Sequence, residues 1–216
     1  MWAVSGATAV VAALVLAVAV PRLPAPSLLD EDDPVPDYPA LATGRAIAGL
    51  LVATFAVAQV IWLVPPAAWP LWVPYLALGA PLVYVDLRTT YLPIVLHRLA
   101  RTAMLIALIP LAVLLPSAAL AAILGAVVFR GLFWLVWRFS RSFGFGDVRL
   151  AALMGAVAAP SGIGSALAAL FLGTLMGAVA GLVHALVRRR RGGPASFAYG
   201  PWLWLGPVAA VAISGW

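Results

Sequence analysis

Two carboxylates stand apart from every other acid in this chain. Of the seven acidic residues, Asp30, Glu31, Asp32, Asp33 and Asp37 crowd into one early stretch. The remaining two, Asp86 and Asp147, each sit at the edge of a long apolar run. Two carboxylates held close do not both ionise readily, so near neutrality one is charged and one protonated. The charged one can draw a proton from water. The protonated one can donate to the carbonyl oxygen of a peptide bond. Such a pair hydrolyses without a metal or a covalent intermediate. Each residue also has a plainer reading: Asp147 as a helix N-cap, Asp86 as an interfacial partner of Arg88. Acids at a membrane edge are functional by default, and the apolar body holds no others.

That body sets the class. The chain has 216 residues, 65% hydrophobic and only 9% charged, where soluble domains carry roughly 25% charged residues. The expectation is an all-α, polytopic membrane protein of about eight transmembrane helices, each needing about 20 apolar residues. The absence of Cys excludes thiol nucleophiles, disulfides and thiolate zinc sites, and only His97 and His184 remain for a histidine metal centre. No metal and no cofactor is expected. The net charge of +6 comes entirely from Arg in short polar breaks. It reads as membrane topology and not as a nucleic-acid surface.

The elements that must position the acids follow from the punctuation. Residues 1–20 read as a first transmembrane helix, in preference to a cleaved leader, since no basic stretch precedes them. Residues 21–44, with six Pro and five acids, read as a mobile cytoplasmic linker. Residues 45–216 form the remaining body, with helices expected at about 45–63, 71–85, 102–115, 118–137, 147–159, 163–187 and 197–214. The stretch 86–101 reads as a loop or an interfacial helix. Breaks 86–101 and 138–149 carry three Arg each and 188–191 carries four, while the opposite connections carry none. The positive-inside rule then places these breaks in the cytoplasm and both termini outside. Asp86 and Asp147 fall at the same, cytoplasmic, face. Gly173, Gly177 and Gly181 form a small-residue ridge for close helix packing. Arg130, inside a helix, is expected to snorkel.

Three motifs carry a resemblance. Val85-Asp86-Leu-Arg-Thr-Thr-Tyr-Leu92-Pro93 resembles the first aspartate motif of type IV prepilin peptidases. Gly144-Phe-Gly146-Asp147-Val-Arg149-Leu is similar to their Gly-x-Gly-Asp motif, and Tyr199-Gly200-Pro201-Trp-Leu-Trp-Leu-Gly206 to their Phe-Gly-Pro segment. The resemblance spans roughly 66–210. It implies an aspartic-type membrane endopeptidase with Asp86 and Asp147 catalytic, removing basic leaders from prepilin-like precursors at the cytoplasmic face of the plasma membrane. Gly144, Gly146, Arg149, Gly200 and Pro201 become substrate-binding or shaping residues. Membrane lipids are the other expected partners. The chain departs from the family at Ile94, where an acid is common, at Arg149, where Lys is common, and in lacking a Cys-rich zinc domain. Nothing in the sequence supports a methyltransferase activity.

Two further readings follow from the acid cluster and the helix starts. Asp30 to Asp33 could steer basic leaders toward the site, though a solvated linker explains them as well. A helix N-terminus favours an anion, which makes Asp147 the expected charged member and Asp86 the protonated one. Rival readings are a presenilin-like protease, for which the chain is short, and a small proton- or ion-coupled transporter using the same two Asp. Helices broken at Pro110, Pro116 and Pro160 would suit the transporter.

Overall fold

The computed structural model describes residues 2–26, 35–140, 144–191 and 196–216. Among these every regular element is helical. In chain order they are α1 (Trp2–Val18), α2 (Tyr38–Leu41), α3 (Gly44–Val57), α4 (Trp69–Thr89), α5 (Ile94–Leu114), α6 (Pro116–Phe139), α7 (Phe145–Ala158), α8 (Ile163–Arg191) and α9 (Gly200–Ser214), with short 3-10 turns between some of them.

Among the described residues six stretches are long and apolar enough to cross a membrane: Trp2–Arg22, Gly44–Leu63, Pro66–Thr89, Ile94–Leu114, Pro116–Phe139 and Ile163–Arg191. The other two expected crossings are helices but short ones. At 14 residues α7 reaches about 21 Å and at 15 residues α9 reaches about 22 Å. Both fall short of a hydrocarbon core of roughly 30 Å.

The central element is α4. Its apolar window is 72% buried, against 22–39% for the other five spans. Its neighbours include α1, α5, α7 and α9. Trp72, Tyr75, Leu76 and Leu82 on it are fully enclosed. Pro74 and Pro81 lie inside α4 and Pro110 inside α5 without ending either helix, as packed neighbours in a membrane bundle allow. A break at Pro110 is therefore absent. Pro116 does mark a boundary, standing at the start of α6.

Several expected boundaries move. The stretch 86–101 is not one loop: α4 runs on through Asp86 to Thr89, and α5 begins already at Ile94. Arg98 and Arg101 are thus helical. Arg188 to Arg191 form the last turn of α8, where cations favour the helix dipole. Between α4 and α5 the chain turns at Thr90, which adopts a left-handed conformation (φ 59°). Its N–H donates to the Asp86 carbonyl at 2.6 Å, and Thr89 Oγ1 donates to Val85 O at 2.8 Å. The residues after Asp86 therefore stop α4 within one turn of the carboxylate. In the early stretch, Asp37 caps α2 by accepting from Ala40 N–H at 3.1 Å. The steering role expected of Asp30 to Asp33 lies outside the described residues.

The glycine ridge of α8 packs on the start of α9. A Cβ at Gly173 would lie 3.3 Å from the Leu203 backbone, one at Gly177 would enter the Tyr199 ring, and one at Gly181 would meet Phe197 at 3.5 Å. Close approach is what small residues permit in a membrane bundle, where lipid supplies no hydrophobic drive between helices.

Candidate active site

Asp86 occupies the last turn of α4 and is 4% exposed. Its Oδ2 accepts the backbone N–H of Gly200, the first residue of α9, at 2.9 Å. That contact needs glycine. A Cβ on residue 200 would sit 2.6 Å from Oδ2 and 3.3 Å from Cγ, closer than real Cβ contacts come. Pro201 follows as the second residue of α9, in the first turn, where a missing N–H leaves no intrahelical bond unmade. Its ring also lines an apolar cavity of about 290 Å³ with Tyr84, Leu87 and Trp204.

One turn into α9, a reciprocal pair ties the helix to α4. Tyr75 Oη donates to Trp204 O at 2.7 Å, and Trp204 Nε1 donates to Tyr75 O at 3.2 Å. The rings stack at 6.3 Å, and Gly79 leaves the room that the indole fills. Two buried bonds between the same helices fix the height of α9 against α4, and hence of the Gly200 N–H against Asp86.

Asp147 enters from α7. Gly144 is the N-cap, so Asp147 is the third helical residue and not the cap; its own N–H donates to Gly144 O at 3.2 Å. The first turn still favours a carboxylate there. Asp147 is 8% exposed and lies within electrostatic reach of Asp86, with the Gly144 backbone against its carboxyl group. Leu150, one turn on, reaches the same spot: its Cδ2 would be 3.4 Å from a Cβ on Gly200. The ends of α4, α7 and α9 thus converge on one buried pair of acids.

The two glycines before Asp147 differ. At Gly146 a Cβ would lie 2.7 Å from Leu92 Cβ, so the start of α7 passes directly over the α4–α5 connection. At Gly144 a Cβ would meet Asp147 Oδ2 at 3.6 Å, an ordinary contact. Space therefore demands glycine at 146 and not at 144. Arg149, two residues past Asp147, goes elsewhere. Its guanidinium lies 4.8 Å from the Phe145 ring centroid, and its charged neighbours are Arg130 and Arg98.

The sequence profile of the type IV leader peptidase family matches residues 73–182. The chain belongs to the type IV leader peptidase family. No curated protein and no solved structure matches it. The match covers both Asp86 and Asp147 with their motifs, and it ends before Gly200. Membership, together with the apolar helices, makes this a multi-pass membrane peptidase of the prepilin-peptidase type.

In this leader peptidase one residue beside the site, Tyr199, stands out in the sequence only as part of a motif. Its hydroxyl donates to Thr174 O at 3.1 Å, and its ring fills the space above Gly177. Burial first, and then the neighbouring Asp147 carboxyl, hold its phenol above the usual range, so it stays a neutral donor. The available signal is the pairing of an aromatic residue before Gly-Pro with a distant glycine ridge. Nothing local in sequence connects the two.

Proposed function

We propose that this leader peptidase is an aspartic-type endopeptidase that removes the leader of prepilin-like precursors, with Asp86 and Asp147 activating water. The observation that carries the reading is the convergence of two buried carboxylates from α4 and α7, each with a backbone N–H against it, Gly200 on Asp86 and Gly144 on Asp147. Among the described residues no basic side chain is among the groups acting on either carboxyl. A guanidinium there would hold both acids ionised and end their proton chemistry.

The roles differ from the assignment based on the helix start alone. Burial first, and then the neighbouring Asp86 carboxylate, push the Asp147 carboxyl up to about 7, with the Gly144 backbone bond opposing them. Asp86 accepts the Gly200 N–H at 2.9 Å. Asp86 is the ionised member that draws the proton from water, and Asp147 the protonated member that donates to the scissile carbonyl oxygen. As water attacks, its proton passes to Asp86 while Asp147 protonates the developing oxyanion. Collapse of that intermediate returns a proton to the leaving amine.

Connectivity supports a cytoplasmic site. Helices α4, α6 and α8 end, and α5, α7 and α9 begin, on the side of the bundle where Gly200 meets Asp86. Arg138 and the Arg188–Arg191 run belong to that side too, which the positive-inside rule puts in the cytoplasm. In this reading residues 45–216 are the peptidase body, 1–20 a first membrane helix and 21–44 a cytoplasmic linker. Packing of α1 on α3 and α4, with Ser5 Oγ donating to Ala58 O at 3.2 Å, fits a first helix docked on the body.

Co-expression with a prepilin-like precursor tests the proposal. The wild-type protein should shorten the precursor by its leader on a gel, and Asp86→Ala and Asp147→Ala should each leave it full length. Normal processing by either single variant would sink the paired-carboxylate mechanism.

A further inference from the structure

Beside the carboxylate pair the structure gathers a second charged group that peptide hydrolysis does not use. Arg98 and Arg101 lie on α5, Arg130 on α6 and Arg149 on α7, three helices in mutual contact. Arg149 is within electrostatic reach of Arg130 and Arg98. The buried His97 beneath them feels Arg149, Arg101 and Arg130. Four arginines on three packed helices thus gather near one histidine. Among the described residues none of the four makes a hydrogen bond or an ion pair through its side chain; the one partner is the Phe145 ring against Arg149. Arg98, Arg101 and Arg130 are exposed.

Their depth matters. Arg101 lies seven residues, about 10 Å, from the start of α5, and Arg130 nine residues, about 13 Å, from the end of α6. Those two helix ends belong to the same side of the bundle, because α5 and α6 form a hairpin joined at Leu115. Both residues sit within apolar stretches long enough to span a bilayer. Like charges at such a depth are costly unless an anion meets them. Deeper on the same helices, Leu105, Ile106, Ile109 and Val127 present an exposed apolar surface suited to acyl chains. We infer that Arg98, Arg101, Arg130 and Arg149 form a binding site for the phosphate of an anionic phospholipid, seated between α5, α6 and α7. A basic pocket between membrane helices, open to lipid on one side, is the setting in which such headgroups are held.

The test uses the purified full-length protein in neutral detergent. Phosphatidylglycerol and phosphatidylcholine with identical acyl chains are titrated and bound lipid is counted by native mass spectrometry. Phosphatidylglycerol should bind more tightly, and each lost charge should weaken it about fivefold. Arg98→Gln with Arg130→Gln should weaken it more than either alone and by up to about 25-fold, since two arginines that share one phosphate do not act independently. Arg188→Gln with Arg190→Gln removes the same charge elsewhere and should leave the lipid preference intact. Circular dichroism checks that each variant is folded; if the Arg98/Arg130 pair is not, Arg101→Gln alone should show the fivefold loss. Equal binding of the two lipids would overturn the inference. So would an equal loss in the Arg188/Arg190 variant, or displacement of the lipid by inorganic phosphate at matching concentration, which would mark a site for a small anion.

Discussion

Helix α7 carries opposite charges two residues apart and sends them into two unlike regions. Asp147 turns into a buried recess made by the ends of α4 and α9, floored by glycine backbone and, among the described residues, free of guanidiniums. Arg149, about 200° further round the helix, turns to the face shared with α5 and α6, where every charge is positive. The first region is 4–8% exposed at its acids; the second opens outward. Had one arginine crossed between them, it would have fixed both carboxylates in the charged form. Segregating the signs keeps an acid pair able to trade protons within a bundle that also needs arginines at its membrane edge.

The sharpest way to break this contrast is to remove an acid. Asp86→Ala and Asp147→Ala should each lower precursor cleavage by about 10³-fold or more, since each removes a proton-transfer group and the partner's coupling. Single-turnover cleavage in detergent measures it. A loss at only one of the two would mean that the recess holds a single working acid.

Next in size is the backbone of the recess. Gly200→Ala puts a methyl group where Asp86 Oδ2 lies, 2.6 Å away, and must displace the carboxylate or α9. A displacement near 1 Å costs on the order of 10²-fold in rate. The expected result is a fall in kcat with helical content unchanged; an unaffected kcat would show that the Gly200 N–H does not position Asp86.

Gly146→Ala should do less, because it meets the Leu92 Cβ and not a catalytic carboxylate, so the α4–α5 connection must shift and Asp86 need not. A loss of about tenfold is expected, as for a geometric shift smaller than that at Gly200. Adding Leu92→Gly, which removes that Cβ, should restore part of it. Failure of that rescue would place the effect of Gly146 in backbone freedom and not in the close pass.

The smallest effect belongs to Tyr199→Phe. It deletes the hydroxyl bond to Thr174 O and keeps the ring over Gly177. Stability should fall by about 1 kcal/mol, read as a lower unfolding midpoint in detergent, with cleavage nearly retained. A large loss of kcat would instead bring the phenol into the chemistry and widen the recess to include α8.

Much of this site is legible in the amino-acid sequence. Composition excludes thiol chemistry, and a census of seven acids leaves two. Arginine counting puts those two on one face, because loop charge reports topology whatever the helices do inside the bilayer. Helix positions are legible to within a few residues at most apolar runs. The exceptions are polar stretches that continue a helix, at Asp86–Thr89, Ile94–Arg101 and Arg188–Arg191, where polarity resembles a loop.

Other features require the fold. That Gly200, 114 residues away, donates to Asp86 is invisible in sequence, since glycine before proline reads equally well as a turn. The N-cap belongs to Gly144 because α7 begins at Phe145, two residues before Asp147. The direction of Arg149 is also hidden: a helix apolar on all sides gives no periodicity to say which way a residue points. The sequence by itself narrowed the groups that could do this chemistry to two at one end of the bundle, through their scarcity and the placement of arginine. Only the tertiary structure decided what each group faces. Facing depends on helix rotation and crossing, and those are set by packing such as Tyr75 against Trp204 and Gly177 against Tyr199.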